Sequence, residues 1–160
     1  MIYHQRDVRW ANTLLGLNIE PEYTIGGYGC LLCCISELAD IRPDVLNERL
    51  KETGGFMGDG LLVFGAVGRA TGGKVVCLRM TAVHQDDPFP VDEILNLLAT
   101  PSGLAVVRVD FGPTHQHYVV WQGDGLVDDP WTGIRHPLVP DFGPNVKSAI
   151  VQVIYFEVMP

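Results

Sequence analysis

The feature that most constrains the fold is a change in the kind of segment partway along the chain. Segments before residue 100 mostly resemble helices, whereas later segments are rich in Val, Ile, Tyr and Trp and are separated by Gly, Pro and Asp turns. Helices followed by closely spaced strands are typical of an α+β fold, with an N-terminal helical half packed on a C-terminal antiparallel β-sheet. We expect a functional site in the cleft where the two halves meet.

The individual elements follow from apolar runs and their boundaries. Pro43 stands at a favoured first helical position, and Asp92 and Glu93 suit the positive end of a helix dipole. Gly54–Gly60 lacks the Lys-Ser/Thr of a phosphate-binding loop. It is interpreted as a plain connection, with a loop lining a cleft as the alternative. The predicted helices are residues 30–40, Pro43–Lys51, Leu61–Ala70 and Val91–Leu98; the predicted strands are Lys74–Met80, Gly103–Asp110, His115–Gln122, Gly125–Asp128 and Lys147–Val158.

Length and charge limit the classes of protein that fit. The 160 residues predict one domain over residues 1–160. A net charge of −8 argues against nucleic acid or an anionic membrane as the main partner. The N-terminus lacks the pattern of a signal peptide, and no apolar run has the length of a membrane span. We therefore expect a soluble cytoplasmic protein, with export independent of a cleaved signal left open.

A cysteine follows a glycine-rich turn and opens an apolar helix. In Gly26-Gly27-Tyr28-Gly29-Cys30 the glycines let the backbone turn sharply, and Cys30 reaches the point where free helix N–H groups converge. A helix N-terminus and a neighbouring imidazolium are common means of lowering the pKa of a thiol, and the thiolate is the nucleophilic form. The pattern favours Cys30 as a nucleophile. Cys33 and Cys34, inside the apolar run, fit core residues instead.

Five histidines compete for the role of a base. His84 and His136 lie in loops and are interpreted as surface residues. His115 and His117 are two positions apart on a predicted strand and therefore point to the same face. His117 is favoured because the apolar run directly after it would hold an imidazole rigidly, whereas His115 is nearer to the preceding turn.

An acid that orients the base is predicted at the end of the next strand. That strand returns antiparallel to the histidine strand across Gly123-Asp124-Gly125, so its end comes back to the start of the histidine strand. Asp129 is therefore expected to accept a hydrogen bond from Nδ1–H of His117, which fixes the tautomer. Asp128 points to the opposite face. The alternative is that Asp129-Pro130 simply starts a turn.

Blocks of sequence over residues 5–133 resemble one known family. They are similar to the C39-like branch of the papain-fold cysteine peptidases, a group that includes bacteriocin-leader peptidase domains and many bacterial and phage proteins. The resemblance implies a papain-like cysteine protease fold. The matching blocks, in chain order, are Gln5–Ala11, Tyr28-Gly29-Cys30, Pro43–Asn47 with Gly54-Gly55-Phe56, His117–Val120 and Asp129–Gly133.

The resemblance also implies a catalytic set and an activity. Cys30 is implied as the nucleophile, His117 as the base, Asp129 as the orienting acid and Gln5 as a side-chain donor to the oxyanion. The implied activity is a cysteine hydrolase that cleaves a peptide or isopeptide amide, with a cell-wall peptide among the possible substrates. The chain departs from the family at Leu31-Leu32-Cys33, where small or hydroxyl residues are frequent. We expect that the leader-processing role of transporter-linked members does not transfer.

Several further expectations complete this interpretation. Trp10, Gly29, Tyr118 and Trp131 are predicted to bind substrate. No cofactor or metal is predicted, because the CxxC pair that begins at Cys30 lacks the second ligand pair of a zinc site. The alternative function is a non-catalytic peptide-binding module on the same fold. Substrate specificity, hydrolysis versus transfer, and oligomeric state stay open.

Overall fold

The helices lie mostly where the sequence predicts them. The computed structural model describes residues 1–58, 60–85, 87–111 and 115–160. Pro43 occupies the first position of its helix, and two acidic residues occupy the first turn of the helix that follows Pro90. The predictions of α2, α3 and α5 are confirmed to within one residue at each end. The helices are α1 (Ile25–Tyr28), α2 (Cys30–Ala39), α3 (Pro43–Glu52), α4 (Phe64–Ala70), α5 (Val91–Leu98) and α6 (Val146–Ala149).

The strands form one large sheet and one small hairpin. The six-stranded sheet has the order β3-β8-β4-β5-β6-β7, and every pairing in it is antiparallel. β1 and β2 pair separately as a two-stranded antiparallel ribbon. The α+β class is confirmed. The strands are β1 (Phe56–Met57), β2 (Leu61–Leu62), β3 (Val75–Met80), β4 (Ala105–Phe111), β5 (His115–Trp121), β6 (Leu126–Asp129), β7 (Ile134–Pro137) and β8 (Gln152–Val158).

Successive side chains of the central strands pack alternately into two apolar clusters, one on each face of the large sheet. Val106 of β4 and Val120 of β5 are fully buried in a cluster with α2, α3 and α4. Val107 and Val119 point the other way and pack with α5 and α6. The first cluster is the contact between the helical half and the sheet, and α2 lies there against β5.

The segment from residue 54 to residue 70 corrects two predictions. The helix predicted over Leu61–Ala70 begins only at Phe64, because Leu61 and Leu62 pair with Met57 and Phe56. The stretch interpreted as a plain connection therefore carries a hairpin. Two-residue strands are too short to leave an alternating pattern, and the apolar run continued without interruption into the helix.

The C-terminal half differs from the prediction in two places. The strand predicted over Lys147–Val158 is shorter, because Asn145 caps a short helix and the strand begins only at Gln152. β7 was missed, because two of its four residues, Ile134–Pro137, are polar and the strand ends in proline. Within the described ranges, every helix is too short or too polar to cross a membrane.

Candidate active site

Cys30 is the first residue of α2, directly after the short helix α1. Gly29 lies between the two helices, and its N–H donates to the carbonyl of Ile25 at 2.8 Å. A Cβ atom at this position would lie 2.5 Å from that carbonyl oxygen, so the close approach of the two helices requires glycine. The first N–H groups of a helix have no carbonyl partner within the helix. Cys30 therefore projects from a positively polarised backbone terminus.

The structure brings together His117 and Asp129 across β5 and β6. The Nε2 atom of His117 lies 2.7 Å from Oδ1 of Asp129, and both side chains are buried. The prediction that Nδ1 of His117 faces Asp129 is therefore wrong, because Nε2 occupies that position. Because Nε2 is taken by Asp129, Nδ1 is the ring nitrogen left for the hydrogen bond between His117 and Cys30.

The surroundings of His117 favour its charged form. Burial lowers the pKa of the ring, but hydrogen bonds to Asp129 and Cys30, together with their charges, outweigh burial and raise the pKa to about 9. The imidazole is thus an imidazolium at neutral pH. A protonated ring between a sulfur and a carboxylate is the arrangement that supports a thiolate–imidazolium pair.

Asp129 is held by several donors. Its Oδ1 also accepts the N–H of Trp131 at 2.7 Å, and its Oδ2 lies 3.2 Å from Oγ1 of Thr132 and 3.3 Å from Nε2 of His136. Burial raises the pKa of Asp129, but the hydrogen bond and charge of His117, followed by the other donors, lower it below its ordinary value. The carboxylate is therefore ionised and fixed in direction.

Gln5 lies buried beside the same residues. Its backbone N–H donates to the carbonyl of Pro130 at 2.8 Å, and its Nε2 donates to the carbonyl of Gly26 at 3.0 Å. These two bonds tie Gln5 to the turn after Asp129 and to the start of α1. An amide nitrogen carries two protons, so one stays available beyond the bond to Gly26.

Cys30, His117 and Gln5 line one cleft of about 920 Å³. Many of the other residues that line the cleft are apolar, and the β1–β2 hairpin supplies some of them. Leu61 is 70% exposed, so a large apolar side chain faces solvent at this rim. His115 also lines the cleft, on the same strand face as His117. The apolar wall residues include Leu15, Leu31, Phe56, Leu61 and Leu62.

The residues predicted to bind substrate divide into two groups. Tyr118 and Trp131 line the cleft, and the guanidinium of Arg6 stacks over the Trp131 ring at 3.3 Å from its centroid. Trp10 does not line the cleft. It is 2% exposed and packs edge-to-face on Tyr3 in the core, which corrects its predicted role. Gly29 is better explained by the helix contact described above.

The other cysteines differ from Cys30 in their surroundings. Cys33 and Cys34 are 1% exposed, and burial, followed by the charge of Cys30, raises the pKa of both thiols. The sulfur of Cys34 donates to the carbonyl of Tyr118 at 3.3 Å. Within the part of the chain that the structure describes, no three His, Cys, Asp or Glu side chains are grouped so that they could hold a metal ion.

A pair of acidic residues joins α2 to β6. Glu37 of α2 and Asp128 share a hydrogen bond, and Arg135 donates to both Asp128 oxygens at 2.6 and 2.8 Å. Burial, then the hydrogen bond and charge of Asp128, raise the pKa of Glu37 to about 8. The pair therefore holds one proton at neutral pH. Sequence patterns gave no sign of this pair, because Glu37 appears only as a polar residue within an apolar helix.

His136 was interpreted as a surface residue, and this is wrong. It lies on β7, its side chain is 13% exposed, and it contacts Asp129. The side on which His136 points could have been inferred from the sequence only if β7 had been predicted as a strand. A comparison of the chain with protein-family models and with curated proteins finds no match.

Proposed function

We propose that this protein is a cysteine hydrolase that cleaves a peptide or isopeptide amide. The single observation that carries the proposal is the continuous chain of hydrogen bonds from Cys30 through His117 to Asp129, with Cys30 and His117 lining one cleft. Side chains of these three types, connected in this order, form the nucleophile, base and orienting acid of a catalytic triad.

The resting site places an imidazolium beside the Cys30 sulfur. With a pKa of about 9, His117 keeps its second proton at neutral pH, and that proton at Nδ1 lies toward Cys30. The thiolate is the form of Cys30 that attacks, and the neighbouring positive ring stabilises it. Asp129 stabilises the positive ring through its short bond to Nε2 and prevents the ring from turning.

Acylation begins when the Cys30 sulfur attacks the carbonyl carbon of the scissile amide. The carbonyl oxygen becomes an oxyanion, and the backbone N–H of Cys30 and the second amide proton of Gln5 donate to it. The tetrahedral intermediate then collapses, the C–N bond breaks, and Nδ1–H of His117 protonates the leaving amine. The products of this step are a free amine and a thioester on Cys30.

Deacylation reverses the roles of the groups. Neutral His117 takes a proton from water at Nδ1, and the resulting hydroxide attacks the thioester carbon. The C–S bond breaks, which releases a carboxylic acid and restores the thiolate and the imidazolium. Replacing water with an amine acceptor would make the same site a transferase.

We further propose that the fold is papain-like and the family C39-like. The chain order of Gln5, Cys30, His117 and Asp129 supports this, as does a helix that carries the nucleophile and packs on an antiparallel sheet that carries the base. The apolar cleft and the exposed Leu61 rim favour a peptide or protein substrate with apolar side chains near the cleaved bond. A cell-wall stem peptide stays among the candidates.

The test is product analysis after incubation with a peptide library and, separately, with purified peptidoglycan. We expect new amine and acid termini by mass spectrometry with the natural protein, none with Cys30→Ala or His117→Ala, and undiminished products with Cys33→Ala as the matched control. Full turnover by Cys30→Ala would contradict the proposal. Tight peptide binding without turnover, together with a Cys30 that iodoacetamide does not alkylate, would favour the binding-module alternative.

A further inference from the structure

Asp129 has a second histidine on the side away from His117. His136 places its Nε2 3.3 Å from Oδ2 of Asp129, whereas His117 places its Nε2 2.7 Å from Oδ1. In the antiparallel β6–β7 pair, His136 stands opposite Val127 and Ile134 stands opposite Asp129. His136 and Asp129 are therefore diagonal neighbours on one face of the sheet.

The same alternation separates two carboxylates that are adjacent in the chain. Asp128 stands opposite Arg135 and forms its ion pair with that residue on the other face of the hairpin. Arg135 is therefore directed away from Asp129, although it precedes His136. On the Asp129 face, the charged or titratable groups around His136, among the residues that the structure describes, are Asp129 from β6, His117 from β5 and Asp141 from the segment after β7.

The other ring nitrogen of His136 is also held. Its Nδ1 lies 2.8 Å from Oδ2 of Asp141 and 3.0 Å from the carbonyl oxygen of Pro137. Each ring nitrogen of His136 therefore has hydrogen-bond acceptors within reach, and the ring lies between two carboxylates.

Phe142 packs against both histidines. The Phe142 ring centroid lies 5.6 Å from that of His136 and 6.1 Å from that of His117. This aromatic contact leaves His136 with 13% of its side chain exposed. The orientation of His136 is therefore fixed by Asp141 on one side and by Phe142 on its face.

Donation from His136 has a consequence for the charge on Asp129. Each donor to a carboxylate favours its ionised form. His117 and the backbone N–H of Trp131 serve Oδ1, while His136 and Thr132 serve Oδ2. These donors outweigh burial, which would otherwise raise the pKa of Asp129.

We propose that His136 is a positioning residue that donates Nε2–H to Oδ2 of Asp129 and so keeps this carboxylate ionised and aimed at His117 in mildly acidic solution. His136 acts on Cys30 only through Asp129 and His117. The inference rests on the proposed function, since it extends the range of pH over which the Cys30–His117 pair is maintained.

The test compares the rate of Cys30 alkylation by iodoacetamide across pH in His136→Phe, His136→Gln and the natural protein. At about pH 5 we expect His136→Phe to react ~10-fold more slowly than the natural protein, with a much smaller difference above about pH 7. His136→Gln keeps an N–H donor and should restore most of the rate. His84→Gln is the matched control, because His84 packs edge-to-face against Phe89 and lies outside the cleft lining. It should follow the natural protein throughout.

A rate profile of His136→Phe parallel to that of the natural protein would overturn the inference. A second measurement covers the case in which His136→Phe does not fold. In the natural protein, nitrogen NMR of the His136 ring should show a proton on Nε2 at neutral pH, and a bare Nε2 would equally overturn the inference. Absent alkylation of Cys30 in the natural protein would instead contradict the proposed function, and the ring measurement stays decisive for His136 in that case.

Discussion

Asp128 and Asp129 are neighbours in β6, yet they face opposite sides of the sheet and hold different partners. Asp128 pairs with Arg135 and shares a proton with Glu37 of α2. Asp129 pairs with His117. Asp128 therefore links the sheet to the helical half, whereas the adjacent Asp129 contacts the histidine of the candidate site.

The Glu37–Asp128 pair predicts how stability changes with pH. The pKa of Glu37 rises from 4.5 to about 8 on folding, so the folded state binds the extra proton across that interval. Stability should therefore fall as pH rises from 4.5 to about 8, with a slope from this group of at most about 1.4 kcal/mol per pH unit. Denaturant unfolding at several pH values measures the slope.

Glu37→Gln is the variant that isolates this contribution. The amide keeps a donor for Asp128 but does not titrate, so the variant should lose less stability than the natural protein over the same interval. His117 also has a raised pKa and contributes equally in both proteins, which removes it from the comparison. Identical slopes in the two proteins would contradict the shared proton.

Asp129→Asn should lower the pKa of the His117 ring. The change removes the carboxylate charge that raises this pKa, so the ring should lose its proton at lower pH. We expect nitrogen NMR of the ring to show a pKa lower by about one unit or more than in the natural protein. Asp128→Asn is the matched control, because Asp128 faces away from His117. An unchanged pKa of His117 in Asp129→Asn would speak against the orienting role.

Gln5→Ala should separate oxyanion stabilisation from nucleophilicity. Loss of one oxyanion donor typically lowers kcat ~100- to 1,000-fold. Alkylation by iodoacetamide forms no oxyanion, so its rate should stay close to that of the natural protein. Gln152→Ala removes a bond to the carbonyl of Thr81, and both residues lie outside the cleft lining, so this variant should leave both rates unchanged. Equal losses of kcat and of alkylation in Gln5→Ala would indicate a structural role instead.

Gly29→Ala should destabilise the protein through the contact between α1 and α2. The added Cβ would lie 2.5 Å from the Ile25 carbonyl oxygen, which is backbone and cannot turn aside. We expect a loss of about 1–3 kcal/mol in the free energy of unfolding, as for an overpacked site. Gly65→Ala in α4, where the new Cβ meets nothing within 4 Å, should be neutral or stabilising. Equal stability of the two variants would contradict the steric argument.

The sequence predicted the elements that have strong local signals. The apolar run after Cys30, the proline at the start of α3 and the glycines around Asp124 mark features that neighbouring residues determine. The return of β6 toward the start of the histidine strand follows from its short turn, and this is why Asp129 could be proposed as the partner of His117.

The features that escaped prediction depend on contacts between distant residues. β1 and β2 are too short to show an alternating apolar pattern. β7 is a strand because it pairs with β6, and this pairing leaves no signal in the sequence of β7 itself. The orientation of the His117 ring is set by Cys30 and Asp129 together, so spacing alone could not decide between Nδ1 and Nε2. Trp10 was predicted to bind substrate because it is near a predicted site residue in the sequence, but it is buried in the core.

The most direct test of the central claim is the titration of the His117 ring by nitrogen NMR in the natural protein and in Cys30→Ala. A thiolate–imidazolium pair predicts a His117 pKa of about 9 in the natural protein and a clearly lower one when the sulfur is removed. Titration of His117 at the ordinary histidine value in both proteins would contradict the pair and the activity built on it.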